Sequence, residues 1–144
     1  MNNLWRSIGA PTTALILPIL LGCGPGGVYP VEGNVVWKNG SPAKELAGTL
    51  VFFEQPEKQL SARGQVAGDG SFRLTTHKEN DGAPAGENIV LLVEIGRKPL
   101  GGPDGTQLAP GKIDSRYSTH STTDLRATIK PGLNKIALTV EPPK

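Results

Sequence analysis

From residue 28 onward the chain alternates apolar and polar residues with a period of two, and glycine, proline or asparagine cuts the alternation every few residues. No other feature constrains the fold as tightly. A period of two puts every second side chain on one face of a strand, and no stretch carries the 3.6-residue period of an amphipathic helix. Seven segments read as strands: 31–37, 49–54, 63–67, 71–75, 88–95, 125–130 and 134–140. Asn39-Gly40 and Gly68-Asp69-Gly70 supply the positive φ angles of tight turns, the second as a hairpin. Val66, Phe72 and Leu74 then face inward, and the adjacent Phe52 and Phe53 point to opposite faces. Seven strands at regular spacing imply an all-β sandwich. Glycine (19) and proline (13) are abundant and aromatics make up only 5%, so the core is small and largely aliphatic.

One stretch breaks the pattern. Residues 96–123 hold no clear element, whereas loops beyond about 12–15 residues are uncommon in small domains. The expectation is a long ordered excursion with a short strand or turn near 113–117. Because binding residues concentrate on loops held by a rigid scaffold, it is also the candidate binding loop. Its candidates are Arg97, Lys98, Lys112, Arg116, Tyr117 and His120. Asp104 and Asp114 intersperse its basic residues, as on a solvated loop surface.

The first residues read as an address. Arg6 precedes the apolar run 14–21, which is too short to span a bilayer and is interrupted by Pro18. The run ends in Leu20-Leu21-Gly22-Cys23, which resembles the lipobox of bacterial lipoproteins. The chain's one cysteine stands where that resemblance needs a thiol for lipidation. The expected organisation is a signal peptide at 1–22, a lipidated Cys23 with a flexible spacer to residue 27, and a β-sandwich over 28–144. Acyl chains on Cys23 would tether the domain to the inner or outer membrane of a bacterial envelope, facing the periplasm or the exterior. Net charge is +2 with both signs scattered, a distribution without the basic face that nucleic acid requires.

The order of turns and strands carries a second resemblance. Gly33-Asn34-Val35-Val36, Asn39-Gly40-Ser41-Pro42 and Gly48-Thr49-Leu50-Val51-Phe52 are followed by Gly68-Asp69-Gly70-Ser71-Phe72-Arg73-Leu74 and Pro84-Ala85-Gly86-Glu87. This series resembles carboxypeptidase regulatory-like domains. With the lipobox, the chain looks like the small lipoproteins numerous in planctomycete bacteria. Those also carry a segment like Ile113-Asp114-Ser115-Arg116-Tyr117-Ser118 and a strand pair like that marked by Leu125, Ile129, Gly132 and Asn134. The resemblance implies a seven-stranded, transthyretin-like (prealbumin-like, immunoglobulin-like) sandwich. The family commonly has an aromatic where this chain has Asn88. Turn chemistry specifies fold better than function.

Constellations for catalysis are sparse. His77 and His120 lack the short ligand spacing of zinc sites, and Ser118 or Ser121, His120 and Asp124 lie too close in sequence for triad members, which converge from separate elements. Gly68-Asp69-Gly70 offers one carboxylate, too few for calcium. Lys38 and Asn134, near the ends of two strands, could approach each other as an isopeptide pair, but an exposed Lys38 in a turn is the simpler reading. No catalytic residue, metal or cofactor is expected. The leading expectation is a lipid-anchored, non-catalytic domain that binds or scaffolds envelope protein or polysaccharide. The alternatives are a hydrolytic or metal-dependent enzyme using His77 and His120, and a purely structural envelope component.

Overall fold

The computed structural model describes residues 27–98, 100 and 108–144. Cys23 and residues 1–22, where a signal peptide is expected, lie outside them. Nine strands follow in chain order: β1 (Val28–Tyr29), β2 (Val31–Trp37), β3 (Leu50–Gln55), β4 (Leu60–Gln65), β5 (Ser71–Arg73), β6 (Ala83–Pro84), β7 (Gly86–Val93), β8 (Arg126–Ile129) and β9 (Asn134–Val140). Three short 3-10 turns, Lys44–Leu46, Pro56–Lys58 and Ser115–Ser118, are the helical content of the described residues. The chain is all-β.

Alternation becomes structure wherever the inward set finds cover. In β2, Val31, Gly33 and Val35 are buried while Glu32 and Asn34 face solvent. Gly33 carries no side chain because a Cβ there would overlap the Phe72 ring. β2 is the centre of a three-stranded sheet, antiparallel to β5 and parallel to β9. A second sheet runs β4-β3-β7-β8, antiparallel throughout. Its inward residues Val51, Phe53, Ala62, Val90, Leu92, Ala127 and Ile129 join Val31, Val35, Phe72, Leu138 and Val140 of the first sheet in one core cluster. Phe53 and Phe72 meet across the sheets with ring centroids 6.1 Å apart and planes tilted by 56°, a geometry worth about 0.5–1.5 kcal/mol beyond area burial. Two sheets facing one core is an arrangement consistent with an all-β sandwich.

Along one side the sheets are stitched together. Arg63 of β4 and Thr75 beyond β5 exchange backbone hydrogen bonds of 2.9 and 2.8 Å. Gly64 allows this approach, since a Cβ there would strike the Arg73 carbonyl. On the other side β8 and β9 are joined only by the turn at 130–133. Asn134 closes that turn, accepting from Lys130 N–H at 2.9 Å and donating to the Lys130 and Gly132 carbonyls.

Several expectations need correction. Among the described residues there are nine strands, seven in the two facing sheets and, beyond the segments expected, β1 and β6 in a two-residue ribbon of their own. The strand expected at 63–67 starts earlier, at Leu60, because the Pro56–Lys58 turn ends at Gln59 in the left-handed region (φ 55°) and restarts the hairpin there. The strand expected at 88–95 runs from Gly86 to Val93. Parallel pairing of β2 with β9 sets Val31 beside Asn134 and Trp37 beside Val140. Lys38 and Asn134 are therefore at opposite ends of the sheet, and the isopeptide geometry does not exist. Phe53 is fully buried, whereas Phe52 is partly covered on the outer face, in register with Leu91. Asn88 is fully buried and donates to the Pro84 and Gly86 carbonyls at 3.0 and 2.9 Å.

Candidate functional site

Strand directions sort the connections into two ends. Residue 27, the start of β2 and the turns at 56–59, 74–85 and 130–133 lie at one end. The loop at 38–49, the 94–125 excursion and the tail after Val140 lie at the other. Seven residues of β2 separate them, about 23 Å at strand rise.

The excursion has three parts. First comes a loop pinched at its base. Glu94, just past β7, accepts the Lys112 backbone N–H with both carboxylate oxygens, at 2.8 and 2.9 Å. Gly111 makes room, because a Cβ there would overlap Glu94 Oε2. Ala109 N–H donates to the Lys98 carbonyl at 2.8 Å, a second rung. Lys112 Nζ donates to the Glu45 carbonyl at 2.7 Å and so ties the base to the neighbouring loop. Among the described residues, the exposed large apolar side chains are Ile95, Leu100, Leu108 and Leu133. Three of these four sit on this loop.

Next the chain dives into the core. Ile113 and Tyr117 are 4% and 1% exposed. Asp114 caps the Ser115–Ser118 turn by accepting Arg116 N–H at 3.0 Å. The Tyr117 hydroxyl accepts from Glu141 N–H at 3.1 Å and from Arg116 Nη2 at 2.5 Å, and the Arg116 guanidinium lies 4.7 Å from the Tyr117 ring centroid. Glu141 meets Lys38 Nζ at 2.8 Å and Arg116 Nη2 at 3.4 Å. The Lys38 bond is the chief reason the Glu141 carboxyl is held below its ordinary range, and the same bond raises Lys38. The Tyr117 hydroxyl raises Arg116 further above an already high value.

Last, the chain returns along the half of β7 that β8 leaves unpaired. Thr123 Oγ1 donates to the Val90 carbonyl at 2.9 Å, and Val90 N–H donates to Leu125 at 3.1 Å. His120 Nε2 contacts Glu54 Oε2 on β3.

The six candidate loop residues are thus divided. Arg97 and Lys98 are exposed on the pinched loop. Lys112 is committed at its base, Arg116 and Tyr117 belong to the core-anchored turn, and His120 rests on the outer face of the second sheet. Tyr117 holds the segment in place rather than offering itself to a ligand. Glu94, Gly111, Glu45 and Glu141 complete the arrangement. An open groove of about 660 Å³ runs between the end of β7 and the excursion, with Leu92, Val93 and Ile113 on its floor and Arg97, Ser115 and Ser118 among its polar residues. That size is in the range of small-ligand sites. The groove's side-chain carboxylates, Glu94 and Asp114, accept backbone N–H bonds and stand beside Arg97, Ser115 and Ser118 in the lining, so both charge signs and hydroxyls face the groove.

Among the described residues no group of three His, Cys, Asp or Glu could hold a metal ion. His77 sits on the turn after β5, whose backbone N–H groups are gathered by Asp81. Ser118 Oγ donates to the Ser115 carbonyl, and Asp124 lies 3.9 Å from Arg116, so Ser118, His120 and Asp124 form no hydrogen-bonded chain. No described helix is long and apolar enough to cross a membrane. No protein-family model, curated protein or solved structure matches the chain.

Proposed function

We propose that this chain is a lipid-anchored, non-catalytic binding domain of a bacterial envelope, tethered through Cys23, with a sandwich of the carboxypeptidase regulatory-like, transthyretin-like kind. Its work is to hold or scaffold another envelope component, protein or polysaccharide, through the pinched loop at 94–112. One observation carries the reading. Ile95, Leu100 and Leu108 are 55%, 50% and 47% exposed on a loop whose base is fixed by Glu94, at the end of the sheets opposite residue 27. A tether entering at residue 27 leaves that end free to stand away from the membrane. Exposed apolar side chains beside Arg97 and Lys98 suit a protein partner with apolar and acidic surface better than a neutral glycan.

Two measurements test the proposal. Metabolic labelling with palmitate in a lipidating host should mark the wild-type chain and leave Cys23→Ala unlabelled; an unlabelled wild type overturns the anchor. Ile95→Ser with Leu108→Ser should abolish retention of envelope components on the immobilised chain while circular dichroism stays unchanged. Undiminished retention overturns the loop assignment.

A further inference from the structure

Alternate residues of a strand direct their backbone groups to opposite sides. In β9 the side facing β2 is fixed at both ends: Asn134 N–H donates to the Pro30 carbonyl at 2.9 Å, and the Val140 carbonyl accepts Lys38 N–H at 3.1 Å. The even-numbered residues therefore face β2, and Lys135, Ala137 and Thr139 turn their N–H and C=O groups outward. Among the described residues nothing bonds to those outward groups. The next outward residue, Glu141, is occupied, its N–H by the Tyr117 hydroxyl and its carbonyl by Asp114 N–H at 3.2 Å. The open edge thus has a defined limit. It carries no proline and one charge, Lys135. Ile136, on its core-facing side, is only partly buried, and Leu133 just before it is 58% exposed. A long edge of this kind is a template for strand addition.

We propose that this edge pairs with the same edge of a second copy of the chain, antiparallel and centred on Ala137. In that register each outward residue meets an outward residue: Lys135 faces Thr139 of the second copy, and Ala137 faces itself, giving about six interchain hydrogen bonds. The two Lys135 Cα atoms lie about 14 Å apart, beyond the screening length at physiological salt, and each has Glu32 as its register partner within its own sheet. Sliding the register toward the C-terminus collides with Asp114 and Tyr117 at Glu141. Sliding it the other way carries the pairing off the strand toward Gly132, whose φ of 97° departs from strand geometry. The two three-stranded sheets become one of six strands. Antiparallel pairing also sends the residue-27 ends in opposite directions. The pairing itself does not rest on the lipid anchor.

The test uses the full chain with Cys23→Ser, which removes the one native thiol. Added Ala137→Cys places two thiols on residues about 5.5 Å apart between Cα atoms, inside the span a disulfide bridges. Mild oxidation should convert most of it to a dimer on a non-reducing gel. Thr128→Cys, on the β8 edge of the other sheet, should stay monomeric. Lys135→Cys alone should link poorly, and its mixture with Thr139→Cys should link well. Linking of Ala137→Cys no greater than that of Thr128→Cys overturns the pairing, and equal linking of Lys135→Cys alone overturns the register.

Discussion

Replacing Tyr117 tests how the excursion is fixed to the body. Tyr117→Phe keeps the buried ring and deletes the hydroxyl, which accepts Glu141 N–H and Arg116 Nη2. Arg116 keeps Glu141 and Asp124 as partners, so the main loss is the backbone N–H of Glu141, left unpaired at a half-buried position. Stranding such a donor costs about 1–2 kcal/mol. In a domain of this size each kcal/mol shifts Tm by about 4 °C. Tyr117→Ala also removes a ring that is 1% exposed, and deletions of this kind cost about 3–5 kcal/mol. Urea denaturation of the three proteins should therefore give a ladder, wild type above Phe above Ala. Amide exchange should speed at Glu141 in the Phe variant while the β3 amides keep their protection. A Phe variant with the wild-type midpoint and a still-protected Glu141 amide would refute the claim that this hydroxyl fastens the excursion to β9.

Other outcomes follow from the same geometry. Gly33→Ala should destabilise by about 1–3 kcal/mol in chemical denaturation, since its Cβ must displace the buried Phe72 ring. Gly82→Ala should cost at least as much, because Gly82 has φ 107° and faces the Tyr29 carbonyl. Burial works to raise the Asp81 pKa, but the backbone N–H groups of Thr76, Lys78 and His77 outweigh it and the net shift is downward. A lowered carboxylate adds stability above its unfolded value, near 4, and loses it as pH falls through the folded value. Asp81→Asn should therefore flatten the acid limb of a stability profile, and an unchanged limb would count against that turn as its source. Intact mass of the purified chain should show no loss of ammonia, as expected with Lys38 and Asn134 at opposite ends of β2 and β9.

Much of the body was legible in the sequence, because one-sided burial writes itself as alternation. Residues 31–37 and 134–140 carry a clean period of two and are strands with those same bounds. Val66, Phe72 and Leu74 are buried as their positions beside Gly68-Asp69-Gly70 imply. Two-residue pairings such as β1 with β6 carry too little pattern to read. The parallel match of β2 with β9 depends on contacts a hundred residues apart in sequence, which local periodicity does not encode. The same reason hides the site. Glu94 and Gly111 look unremarkable in sequence, and only the fold shows one carboxylate gripping one backbone N–H where a side chain would intrude. Tyr117 reads as a loop residue because Arg116 and Ser118 flank it, yet a single 3-10 turn rotates it into the core.

The grip of Glu94 on Lys112 separates two kinds of evolutionary freedom. Strain or length changes introduced between these residues meet the staple before they meet β7, which Thr123 and Leu125 hold separately at Val90. A change of sequence inside the interval leaves the inward side chains of the two sheets as they are, because the staple and not the core closes its ends. Removing the staple, by contrast, would couple every later insertion to the stability of the whole domain.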